Sequence, residues 1–236
     1  LACTTTKTYT VTGIARPTIS VPNYTICNGS TATLVPTGAS TYTFSSGNAT
    51  VAPISTTAYS ISGTSTAGCT STAAAVSSVI VNALPAVTAG GVSIICSGKS
   101  TTLTAGSADT YSWSTGATGS VAVLSPTGTT QYSVVGTNTT TGCKATAVLN
   151  ITVNPLPPIA AASGTICNGK SYTFAPSGGI SYTYSSGSAV VSPTITSNFT
   201  ITGIDANNCT NSVVPAVTVF SVPNISAASQ TLCAGQ

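Results

Sequence analysis

The sequence predicts an all-β chain of small antiparallel sandwiches in tandem, and three observations predict it. Cysteines followed by a glycine two positions on recur at Cys27, Cys96, Cys167 and Cys233, a nearly constant period. Short alternating runs rich in Thr, Tyr, Val and Ile stand at fixed offsets from them, which is the period of a strand with one buried face. Gly, Pro or Asn closes each run, and no stretch carries the periodicity of an amphipathic helix.

A fixed period of roughly 70 residues means an array of repeated units. One cysteine type opens each unit: Cys27 in Ile-Cys-Asn-Gly-Ser, Cys96 in Ile-Cys-Ser-Gly-Lys-Ser, Cys167 in Ile-Cys-Asn-Gly-Lys-Ser, and Cys233 in Leu-Cys-Ala-Gly. The other follows a small turn: Ala67-Gly68-Cys69, Thr141-Gly142-Cys143 and Asn207-Asn208-Cys209, with Cys3 fitting by spacing. An aromatic stands at one and the same offset after each opening cysteine, at Phe44, Trp113 and Tyr184. A second stands ahead of the second cysteine, at Tyr59, Tyr132 and Phe199, and opens a strand that reaches Gly63, Gly136 or Gly203. These six aromatics are expected in the core. Tyr42, Tyr111 and Tyr182 are expected on the opposite side of their strand, in ordinary cross-strand packing, with an aromatic row for adhesion or lateral contacts as the alternative.

The second cysteine leads into a last strand that ends at prolines, Pro85, Pro155 and Pro223 among them. Proline cannot donate to a ladder, so it closes the strand and stiffens the step to the next unit. The expected domains are residues 17–84, 85–156 and 157–222. Residues 1–16 are expected to close a preceding repeat and residues 223–236 to open a following one. Six or seven short strands in such a span, with turn signals every 10 positions or so, are the pattern of an immunoglobulin-like sandwich.

The composition excludes most chemistry. The chain has 236 residues, 5 basic and 2 acidic side chains, and no histidine or methionine. Asp109 and Asp205 are too few and too far apart in sequence for paired acid–base work or for oxygen-ligand calcium sites. Without histidine, catalytic zinc loses its main ligand. A net charge of +3 spread over Lys7, Arg16, Lys99, Lys144 and Lys170 makes no phosphate-binding patch, so no nucleic-acid partner is expected. No cofactor, no enzymatic activity and no membrane span are expected either. The 46 Thr and 34 Ser supply a surface that is polar without being charged. Such a surface repels its neighbours weakly and favours self-association along or beside a fibre.

Eight cysteines in so uncharged a chain indicate an oxidising, extracellular or cell-surface setting. Because the two cysteine contexts alternate, the expected bonds are Cys27–Cys69, Cys96–Cys143 and Cys167–Cys209, each stapling one repeat. Cys3 and Cys233 are expected to have partners outside the sequence. A disulfide supports a unit of this size because domains of roughly 70 residues bury only about 60% of their unfolded surface.

The combination Ile-Cys-x-Gly-x-Ser, Thr-Tyr-Thr-aromatic with Ser-Gly, Thr-Thr-x-Tyr-x-Val/Ile-x-Gly and Gly-Cys resembles the tandem Ig-like repeats of Bacteroidetes secreted and cell-surface proteins. The resemblance is best over Ile95 to Val153, with Trp113-Ser114-Thr115-Gly116 and Thr129-Thr130-Gln131-Tyr132. It implies surface export, often by the type IX route, and adhesion, gliding or extracellular fibres as the context. The chain is therefore expected to be a structural segment of an extracellular fibre, stalk or filament. Adhesin repeats that bind carbohydrate, such as surface glycans, or surfaces directly, and a spacer array in a larger secreted enzyme, are the alternatives.

Overall fold

The computed structural model describes residues 1–229. The chain is all-β, a tandem series of immunoglobulin-like sandwiches, and among the described residues there is no helix. Its hydrogen-bonded sheets fall within residues 24–82, 88–154 and 164–220, and no sheet mixes strands from two of these ranges. By compactness the chain divides into two units. One holds residues 1–89, 104–122 and 133–148; the other holds 90–103, 123–132 and 149–236.

The first repeat contains β1 (Tyr24–Cys27), β2 (Ala32–Thr33), β3 (Thr41–Phe44), β4 (Thr50–Val51), β5 (Thr57–Thr64) and β6 (Ala75–Asn82). One sheet runs β1-β6-β5-β3, and β2 pairs with β4 in another. The second contains β7 (Thr88–Gly91), β8 (Ile94–Cys96), β9 (Thr101–Gly106), β10 (Thr110–Trp113), β11 (Val121–Leu124), β12 (Thr130–Thr137) and β13 (Lys144–Asn154). Its sheets are β10-β12-β13-β8 and β11-β9-β7. The third contains β14 (Gly164–Cys167), β15 (Tyr172–Thr173), β16 (Ser181–Tyr184), β17 (Val190–Val191), β18 (Ser197–Asn198), β19 (Ile201–Ile204), β20 (Thr210–Val213) and β21 (Ala216–Phe220). Here the long strands seen elsewhere are split. Pro215 has no N–H to give, so β20 and β21 separate, and the facing pair β18 and β19 separates with them. The Phe199 N–H bonds the Pro215 carbonyl at the break, at 3.0 Å.

One pairing departs from the antiparallel expectation, and it recurs in every repeat. The strand that carries the opening cysteine lies parallel to the last strand: Tyr24 to Cys27 beside Val79 to Asn82, Ile94 to Cys96 beside Thr152 to Asn154, and Gly164 to Cys167 beside Val217 to Phe220. The opening cysteine thus sits where the last strand ends.

The first core is Ala32, Leu34, Val51, Ile61 and Val79, with Phe44, Tyr42 and Tyr59 packed against it. The third is Ile166, Phe174, Val191, Ile201 and Val217, with Tyr182, Tyr184 and Phe199 against it. In the middle repeat Leu103, Val134 and Ile151 are fully buried, and Trp113 is 3% exposed with its indole N–H donating to the Gly119 carbonyl at 3.0 Å. Tyr132 is half-buried.

Tyr42, Tyr111 and Tyr182 do not form an outward row. Each lies two positions before the aromatic at the strand's end, and positions i and i+2 share a face. Each hydroxyl instead closes the turn before its strand. Tyr42 Oη accepts from the Ala39 N–H at 3.0 Å and donates to the Ala39 carbonyl at 2.9 Å. Tyr111 makes the same pair with Ala108 at 2.9 and 2.7 Å, and Tyr182 with Gly179 at 2.8 and 2.9 Å. A glycine stands opposite each tyrosine on the neighbouring strand: Gly63, Gly136 and Gly203. The open space over it is taken by Ile19, Val87 or Ile159, an apolar residue just after each proline step.

A Cβ on Gly136 would stand 2.5 Å from Val87 Cγ2 and 2.7 Å from Ala108 Cβ. Gly136→Ala should therefore lower stability by about 1–3 kcal/mol, the usual cost of overpacking. Gly128→Ala, with nothing within 4 Å, should change it by less than about 0.5 kcal/mol in the same urea titration. Equal effects at the two sites contradict the packing described.

Candidate functional site: the cysteine staples

The opening cysteines share one local structure. After Cys27 the chain turns through Gly29 at φ +85°; the Ser30 N–H returns to the Cys27 carbonyl and the Asn28 N–H to the Asn82 carbonyl. Cys96 turns through Gly98 at φ +79°, with the Lys99 N–H on Cys96 and the Ser97 N–H on Asn154. Cys167 turns through Gly169 at φ +83°, with the Lys170 N–H on Cys167 and the Asn168 N–H on Phe220. Glycine suits these turns because other side chains are strained at positive φ.

The second cysteines share another. Gly68, Gly142 and Asn208 precede them in the left-handed region, where asparagine is the usual substitute for glycine. The Ser65, Asn138 and Asp205 N–H groups bond the carbonyls of Cys69, Cys143 and Cys209 at 2.9 to 3.0 Å. Each second cysteine lies ahead of the last strand: Cys143 abuts β13 and Cys209 abuts β20.

These two placements forbid a bond within a repeat. In the middle repeat Cys96 pairs beside Asn154, while Cys143 precedes Lys144 at the far end of β13. The whole of that strand lies between, about 33 Å at roughly 3.3 Å per residue. A disulfide needs Cα atoms within about 7 Å. Hence Cys27–Cys69, Cys96–Cys143 and Cys167–Cys209 do not form. The expectation fails because it places both cysteines at one end of the sandwich, and the parallel pairing puts them at opposite ends.

The structure instead bonds Cys27 to Cys143 and Cys96 to Cys209, with Cα–Cα distances of 5.6 and 5.5 Å. In both, the opening cysteine of one repeat bonds the second cysteine of the next. Cys143 and Cys209 are fully buried, whereas Cys27 and Cys96 are half-buried. The bonds span sequence separations of 116 and 113, each worth about 5 kcal/mol in the chain-entropy picture. Among the described residues Cys3, Cys69 and Cys167 have no partner, Cys3 and Cys167 being exposed and Cys69 half-buried. Cys233 lies outside the described residues.

The remaining chemistry-bearing side chains serve turns. Asp109 Oδ2 accepts from the Thr139 N–H at 2.7 Å and from its hydroxyl at 3.1 Å. Asp205 Oδ1 accepts from the Asn207 and Cys209 N–H groups, each at 2.8 Å, and so shapes the turn that presents Cys209. Among the described residues no group of three His, Cys, Asp or Glu side chains is placed to hold a metal. A groove in the third repeat, lined by Ser186, Val190, Pro193, Ile195 and Phe199 among others, holds no ionisable group.

No protein-family model matches the sequence, and no curated protein sequence does. Solved structures align with much of the chain. One concerns the host cell surface retention of a 1.5-MDa bacterial ice-binding adhesin, at 15% identity and a TM-score of 0.35, covering 88% of this chain and 100% of that one. A Ca2+-stabilised adhesin that helps an Antarctic bacterium reach out and bind ice matches at 12% and 0.39, covering 89% and 75%. Drosophila N-cadherin EC1-4 matches at 12% and 0.29, covering 89% and 76%.

Proteolysis of the oxidised chain, with free thiols alkylated beforehand, should return linked peptides that carry Cys27 with Cys143 and Cys96 with Cys209. Recovery of Cys27 with Cys69 contradicts the arrangement.

Proposed function

We propose that this chain is a load-bearing structural segment of an extracellular fibre, stalk or surface filament. The observation that carries this reading is the pairing rule: the two disulfides join the first repeat to the second and the second to the third, and among the described residues no repeat is closed by a bond of its own. A bond within a repeat protects that repeat. A bond between successive repeats resists their separation under tension, which is what a fibre segment requires. The persistence of such bonds supports an oxidising compartment outside the cytoplasm.

Two further features support the same reading. Cys69 and Cys167 have no partner among the described residues and occupy the positions that are bonded elsewhere, so the same rule offers each a partner in an adjacent repeat, of a longer chain or of a neighbouring copy. That supports self-association along the fibre. The surface is built from hydroxyls paired across strands, such as Thr33 with Thr50 at 3.1 Å and Thr202 with Ser212 at 2.7 Å, and carries little charge to hold copies apart. Both carboxylates hold turns, which supports a mechanical role. The motif resemblance supports the surface of a Bacteroidetes cell, with type IX export, as the setting.

Immunogold labelling of intact, unpermeabilised producing cells with antibodies to this chain tests the proposal. Label along projecting filaments or stalks is the expected result. Label confined to the cell interior, or to a soluble secreted enzyme, overturns it.

A further inference from the structure

The two disulfides overlap in sequence. Cys27 and Cys143 form one covalent node; Cys96 and Cys209 form another. Three chain segments, 27–96, 96–143 and 143–209, therefore connect the same two nodes. We infer that the interlaced staples make this chain an extension limiter, in which the 96–143 segment alone sets how far the array can be drawn out.

Connectivity alone sets the limit. Tension entering at Cys27 crosses to Cys143, and tension leaving at Cys209 is drawn from Cys96. Fully extended at roughly 3.5 Å per residue, the three segments reach about 240, 160 and 230 Å in chain order. The shortest is 96–143, which the load traverses against the chain direction. Even with every strand unfolded, the nodes separate by no more than that ~160 Å, and the two longer segments never become taut. Without the bonds, the span from Cys27 to Cys209 extends to about 640 Å at the same rise. Bonds within single repeats would shorten the chain too, but each would act independently. Here each bond alone already hides most of the stretch from Cys27 to Cys209, since their sequence separations are 116 and 113. Either one is a nearly complete substitute for both.

This redundancy deepens the load-bearing reading proposed above and rests on it for its purpose, yet its test measures connectivity and does not depend on where the protein resides. The full chain, with Cys3, Cys69, Cys167 and Cys233 changed to Ser, is stretched by its ends in single-molecule force spectroscopy until no unfolding event remains. Mass spectrometry first establishes that the retained bonds have formed. The final contour length reports covalent topology alone, so a variant that fails to fold remains informative.

With both bonds, the stretch from Cys27 to Cys209 should contribute about 160 Å of contour. Cys27→Ser keeps only the Cys96–Cys209 bond, so 27–96 carries the load and the contour should lengthen by only about 80 Å. Cys209→Ser keeps only the Cys27–Cys143 bond, so 143–209 carries it and the lengthening should be about 70 Å. The double variant, or a dithiol reductant, should lengthen the contour by about 470 Å. That strongly non-additive pattern is the signature of interlaced bonds. Single-variant lengthenings that sum to the double-variant value overturn the inference. If the pattern holds while immunogold finds no surface filament, the limiter stands and the fibre assignment falls.

Discussion

The parallel pairing between the opening strand and the last strand of each repeat is the constraint on which the rest depends. It places Cys27 beside Asn82, Cys96 beside Asn154 and Cys167 beside Phe220, where the chain leaves each sandwich. The second cysteines stand at the other end, ahead of the last strand. The opening strand is short and lies beside the end of the last strand, not its start. That placement separates the two cysteines of a repeat by the length of a strand, and each bonded sulfur finds its partner in an adjacent repeat. The end of the last strand beside which one short strand lies therefore decides whether the disulfides protect single domains or tie the array together.

The choice also has an energetic side. Each repeat has a small core; the first is centred on five buried residues, Ala32, Leu34, Val51, Ile61 and Val79. Domains of such size have little stability of their own, and cross-links are a common supplement. A bond with a sequence separation of 116 removes more denatured-state freedom than one closed within a repeat, by about 1 kcal/mol in the logarithmic chain-entropy relation. The local turns need little charge: left-handed glycines or asparagine set the path, and tyrosine hydroxyls or the two carboxylates tie down the backbone. Stability and connectivity come from the same sulfur atoms.

Much of the fold was legible in the sequence because its signals are local. Period-2 patterning marked the strands around Phe44, Trp113 and Tyr184, and the glycine after each opening cysteine marked a turn. The partner of a strand is a long-range property, and patterning tells only which face is buried. Nothing in Tyr24 to Cys27 states that Val79 to Asn82 runs alongside in the same direction, so the cysteine pairing could not be read from it. Gly63, Gly136 and Gly203 were legible as strand ends, but not as seats for Ile19, Val87 and Ile159, which come from far upstream. One clue to the tyrosines was available. Tyr42 and Phe44 are two positions apart and had to share a face, which already placed both rings toward the interior. The extension limiter was illegible for a different reason: it belongs to two bonds considered together, and no single residue carries it.

Cutting the backbone between repeats tests the central claim most directly. A sequence-specific protease site placed at the Leu84–Pro85 step, where no strand runs, allows the oxidised chain to be cleaved between the first and second repeats. If Cys27 is bonded to Cys143, the two fragments remain one covalent species on a non-reducing gel and part only when a thiol reductant is added. Fragments that separate without reductant would show that each repeat keeps its own disulfide, and would contradict the account.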